Sequence, residues 1–184
     1  MHKLKLLGNG PILRPRAQPI SMFIGANAAL YLYYKYLPGH AKMNFRAMFT
    51  KEPGSSLMSV LTSPFTHTNV ALLLANSAVM YTLGNYHLLQ YGAVHLGVIF
   101  AIGSLGAYAL THAQILQTGE GSFAGGTGGS AGLIIYNAFR NPAWFSAVNP
   151  YALIGAISLY AAYTGDRAVF GGMMGGFLSY LLLL

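Results

Sequence analysis

Residues 167–184 read RAVFGGMMGGFLSYLLLL, and after Arg167 the stretch carries no charge. A helix over it rises about 27 Å at 1.5 Å per residue, close to the thickness of a bilayer's hydrocarbon core. Gly171 pairs with Gly175 and Gly172 with Gly176, two overlapping rows of small residues that let a neighbouring backbone approach closely. The segment is therefore read as a transmembrane helix packed through glycine. The rest of the chain agrees in composition. Of 184 residues, 54% are hydrophobic and 7% charged, whereas a soluble domain carries roughly a quarter charged residues. Ten basic and three acidic side chains are too few to solvate a globule of this size. The expectation is an all-α membrane protein with one transmembrane domain, residues 18–184, after a basic arm, residues 1–17.

Working back from that segment, five further spans are expected. They cover Pro19–Leu37, Thr68–Asn85, Tyr91–Leu110, Gly128–Phe139 and Pro150–Tyr163. Pro19 sits where a missing helix N–H costs nothing. Tyr31, Tyr33, Tyr34 and Tyr36 form an interfacial belt at the far end of the first span, and Tyr81, Tyr86 and Tyr91 a second one. Residues 38–56 read as a polar connection, residues 86–91 as a tight turn, and residues 140–149 as a polar break. Lys and Arg divide five to each side of such a six-span arrangement, so the positive-inside rule sets no orientation. No internal repeat is found.

The formal charge is +7. Its basic residues are scattered between apolar spans, which fits lipid headgroups and not nucleic acid. Lys3, Lys5, Arg14 and Arg16 lie in the arm without any acid, and are read as contacts to anionic lipid or a partner subunit. The arm lacks the Ser-rich character of a transit peptide and is read as part of the mature chain. There is no cysteine, so disulfides and thiolate metal sites are excluded. No H-E-x-x-H occurs, so a zinc protease is out. No metal site or cofactor is expected, apart from a bound phospholipid. A haem held by two of His67, His95 and His112 is the weaker use of those side chains.

Two segments carry the remaining polar groups. The first is Leu61-Thr62-Ser63-Pro64-Phe65-Thr66-His67, leading to Asn76 and Gly84. His67 and Asn76 are expected near one helix face, in loose geometry. Polar groups at membrane depth need partners inside the protein, so interhelical hydrogen bonding is their plain role. The second is residues 119–132, GEGSFAGGTGGSAG. A phosphate cradle there would need a following Lys, and Lys51 is the last lysine in the chain. Irregular Gly-rich backbone at this depth is tolerated where protein or a wet cavity surrounds it. Thr127 and Ser130 are its hydroxyls, and close packing through small residues is the alternative.

Together these segments resemble the rhomboid intramembrane serine proteases, over most of residues 18–184. That family's second span has T-S-x-F-x-H, a second His, an Asn four residues later and a Gly eight beyond. Residues 62–67, Asn76 and Gly84 stand at matching positions. The family's fourth span opens G-x-S-G with the nucleophile. Its sixth carries A-H-x-G-G-x-x-x-G with the base, matched here by Ala168, Gly171, Gly172 and Gly176. The departures fall on the chemistry. Val169 stands for the base, and Leu72 for the second His. The nucleophile is Ser130 in one register and Thr127 in the other, with Thr127 slightly preferred. A hydroxyl is a weak nucleophile without a positioned base, and no His follows His112. Losing one member of such a unit costs nearly as much as losing all.

The resemblance thus implies a six-helix rhomboid-like bundle without protease activity. The positions Ser130 or Thr127, Asn76, His67 and Val169 are then vestigial. A chain with so little soluble mass is expected to be an accessory or scaffold subunit of a larger membrane complex. A mitochondrial inner-membrane complex, respiratory or ATP synthase type, is the setting expected. Two alternatives stand beside it. One is a client-handling or translocation pseudoprotease, although derlins carry a Trp-Arg pair in the first loop and the only Trp here is Trp144. The other is an active intramembrane protease with a non-standard site.

Overall fold

A computed structural model describes residues 18–142 and 149–184. The basic arm with Lys3, Lys5, Arg14 and Arg16 lies outside these residues, as does Trp144. The described chain is all-helical apart from one isolated antiparallel bridge between Lys51 and Phe123. Its helices are α1 (Gln18–Tyr36), α2 (Gly39–Phe49), α3 (Ser59–Thr62), α4 (Val70–Val79), α5 (Asn85–Tyr91), α6 (Ala93–Thr118), α7 (Thr127–Arg140), α8 (Pro150–Thr164) and α9 (Arg167–Leu182). One helix, α6, is by itself long and apolar enough to cross a membrane. Residues 150–163 of α8 form a shorter apolar stretch.

Several boundaries differ from the sequence reading. The polar connection after α1 contains α2, whose Phe45 is buried and stacks on Phe49 at 4.4 Å between ring centroids. Residues 86–91 are not a turn. A π-helical segment, Met80–Gly84, joins α4 to α5, so the chain is helical from Val70 to Tyr91. The reversal falls on Gly92, whose φ of 88° lies in the left-handed region that glycine enters without a Cβ clash. The third helix also runs on to Thr118, about two turns beyond Leu110.

The centre is built by α6, α7 and α9 in backbone contact. A Cβ added to Gly172 would stand 2.7 Å from Gly128 Cα, and one on Gly176 2.7 Å from Gly132 Cα. A Cβ on Gly175 would stand 2.8 Å from Gly103 Cα, and one on Gly171 2.7 Å from Ala107 Cα. These separations are well inside the usual carbon–carbon contact of about 3.5–4.0 Å. The two glycine rows read from the sequence therefore face different neighbours, Gly172 and Gly176 towards α7, Gly171 and Gly175 towards α6. Between them α7 is almost wholly enclosed, with Leu133, Tyr136 and Asn137 at 0–1% exposure. Apolar filling comes from Ile20, Met80, Leu83, Ile99 and Phe100.

Polar as well as apolar side chains are buried in this bundle, and many large apolar ones are exposed. Asn27, Ser59, Ser63, His67, Asn76 and His87 are buried, while Met22, Val94, Leu105, Leu116, Leu159 and Tyr163 are exposed. Asn149 caps α8 by accepting from the Tyr151 and Ala152 N–H groups, and Asp166 caps α9 by accepting from Ala168 and Val169. These side chains satisfy helix N–H groups that have no acceptor within the helix.

Candidate functional site

The site lies where the Gly-rich loop before α7 meets the loop before α4. Backbone bonds pin the two together. Lys51 and Phe123 exchange N–H···O bonds of 2.8 Å in both directions, and Gly125 N–H donates to Ser63 O at 2.7 Å. Thr66 Oγ1 donates to Phe49 O at 2.6 Å, tying the same loop to α2. These bonds bring Thr127, the first residue of α7, against the first turns of α4.

His67, Asn76 and Thr127 meet there. Asn76 Nδ2 donates to His67 Nε2 at 3.1 Å and to Thr127 Oγ1 at 3.2 Å. Gly126 N–H donates to the same His67 Nε2 at 3.3 Å. An amide nitrogen only donates, so His67 Nε2 is an acceptor and its ring proton sits on Nδ1. Nδ1 is buried and has no partner among the described residues. His67 and Asn76 do not meet for the reason read from the sequence. Nine helical steps make about two and a half turns and would set them on opposite faces. They meet because α4 starts at Val70, and the extended residues Thr66 and Asn69 swing His67 off the helix.

Gly125 makes the approach feasible. Its φ is +99°, and a Cβ there would stand 2.8 Å from His67 Cδ2. The other sequence candidates fall elsewhere. Ser130 is buried in α7, and its Oγ has no partner among the described residues. Val169 is buried in the first turn of α9 and offers no titratable group. Gly171, Gly172, Gly175 and Gly176 are the packing residues described above.

Beside Thr127 opens a polar cavity of about 520 Å³, whose lining includes Arg46, Glu52, Leu72, Gln114, Thr127 and Arg167. Arg46 Nε donates to Glu52 Oε1 at 2.8 Å, a hydrogen bond that raises the Arg46 pKa. Arg167 Nη1 donates to Gln117 Oε1 at 3.1 Å. Neither Arg46 nor Arg167 had stood out in the sequence, because lone arginines between apolar spans look alike until the fold gathers them.

A second polar cluster, also missed, lies at the other end of α7. His87 Nε2 and His95 Nδ1 share a 2.7 Å hydrogen bond, and His95 Nε2 pairs with Tyr136 Oη at 3.4 Å. His87 is fully buried. Of the haem candidates, His67 spends one ring nitrogen and His95 both on these protein bonds, and His112 stacks on Tyr108. No group of three His, Cys, Asp or Glu placed to hold a metal occurs among the described residues. Compared with models of known protein families and with curated proteins, the chain matches none.

Proposed function

We propose that this chain is a multi-pass, catalytically inert, rhomboid-like membrane protein that serves as an accessory subunit of a larger membrane complex. The spans are α1, the continuous α4–α5 rod, α6, α7, α8 and α9. The exposed apolar side chains of the helices and the length and apolarity of α6 support the membrane reading. The single observation behind inertness is the Asn76 amide. It joins His67 Nε2 to Thr127 Oγ1, while Gly126 N–H occupies the same imidazole nitrogen. The nearby lone pair is thus already taken by two donors. Activating the Thr127 hydroxyl requires a free base within hydrogen-bond reach, and α9 supplies Val169.

The same geometry favours Thr127 over Ser130 as the vestigial nucleophile position, because Thr127 alone bonds to Asn76 and lines the cavity. A mitochondrial inner-membrane complex, respiratory or ATP synthase type, is the setting proposed. It rests on the rhomboid resemblance and the acid-free basic arm. Mild detergent extraction followed by a native gel tests the subunit role. The chain should migrate within a large assembly and co-purify with stoichiometric membrane partners. Migration alone, near its own 19.6 kDa plus detergent, would refute it and leave the free-standing pseudoprotease reading in front.

A further inference from the structure

We infer that the polar cavity beside Thr127 is a binding site for the headgroup of one anionic phospholipid, with its phosphate held by Arg167 and Arg46. This rests on the membrane reading above. The volume of about 520 Å³ suits a small polar ligand, and Arg167 and the Glu52-paired Arg46 both line it. Arginine's planar fork of donors matches phosphate oxygens in pairs. Arg167 commits one N–H to Gln117 and keeps the rest of its fork.

The acids of the lining are already engaged. Glu52 accepts from Arg46, and Asp166 accepts from the α9 N-terminal amides of Ala168 and Val169. Arg167 has no carboxylate partner among the described residues, which favours an anionic lipid over a zwitterionic one. The depth fits as well. Tyr34 and Tyr160 line the cavity, and Tyr33, Tyr36 and Tyr163 are exposed at the same ends of α1 and α8. Tyrosines collect at the headgroup level of a membrane. Leu32 and Leu159, both exposed, lie just below on the same two helices, where the acyl chains would run.

Native mass spectrometry of the detergent-purified protein tests this with added phosphatidylglycerol, phosphatidylcholine or inorganic phosphate. Wild type should retain one phosphatidylglycerol in preference to phosphatidylcholine. Arg167→Gln should lower that retention at least tenfold. Lys35→Gln, which removes an equal charge from the exposed end of α1, should leave it unchanged. If Arg167→Gln fails to fold, Ser122→Trp, which adds an indole to the cavity lining, should lower retention in the same way. Equal retention by wild type and the cavity variant overturns the inference, as does equal loss in Lys35→Gln. Thermal stabilisation by inorganic phosphate equal to that by lipid overturns the lipid and assigns the site to free phosphate. Recovery of the chain from cells without detergent would instead overturn the membrane reading itself.

Discussion

Gly172→Ala adds a single methyl group at a close approach of α9 to α7. The new Cβ would stand 2.7 Å from Gly128 Cα and 2.9 Å from its carbonyl carbon, both backbone atoms that cannot rotate away. Restoring ordinary carbon contact at about 3.5–4.0 Å requires the helices to separate by roughly 1 Å. The separation cannot stay local. Gly176 on Gly132 and Gly175 on Gly103 are as tightly packed along the same helix. Overpacking of this kind costs about 1–3 kcal/mol, and the Gly to Ala change returns up to about 1 kcal/mol in helix propensity. The middle of those two ranges leaves a net loss of about 1–2 kcal/mol. For a chain of this size each kcal/mol moves Tm by about 2–4 °C, so detergent unfolding should fall by about 2–8 °C. Gly155→Ala in α8 is the control, because its Cβ would meet nothing within 4 Å. Its Tm should hold or rise. If Gly172→Ala is as stable as Gly155→Ala, the glycine-to-glycine packing of α9 is wrong.

Three further outcomes are expected. A serine-directed activity probe should label neither Thr127 nor Ser130, and Val169→His alone should not create cleavage of a model transmembrane substrate; labelling abolished by Thr127→Ala or Ser130→Ala would refute inertness. Thr127→Val should cost about 1–3 kcal/mol in detergent unfolding, since it leaves an Asn76 N–H buried without its acceptor; unchanged stability would deny that bond a structural role. Deleting residues 2–15 should leave the bundle folded by circular dichroism but shift part of it from a large complex to free chain on a native gel. Full retention in the complex would remove the basic arm from the interface.

Helix existence was largely legible in the sequence, because apolar length and caps are local signals. Residues 128–139 and 150–163 were read within a residue of α7 and α8. What failed was local punctuation. The helix through residues 86–91 was taken for a turn because polar and aromatic residues cluster there, while the true reversal needed only Gly92 with a positive φ. The helix α2 was hidden in a polar stretch because its burial comes from Phe45 against Tyr33 and Tyr34 of α1, contacts made across the fold.

By itself the sequence determined that the chain carries far less charge than an ordinary soluble domain, that its elements are helices, and that glycine sets their closest approach. It also determined that no His follows His112 to serve α9 as a base. Only the tertiary structure decided that Thr127 and not Ser130 meets Asn76, that the two glycine rows of α9 face two different helices, and that Arg46 and Arg167 share one cavity. Composition and periodicity constrain each residue through its near neighbours. Meetings such as Asn76 with Thr127 depend instead on two loops pinned by backbone bonds between Lys51 and Phe123 and between Ser63 and Gly125. Their partners stand dozens of residues apart, and only the folded chain brings them to 2.7–3.2 Å.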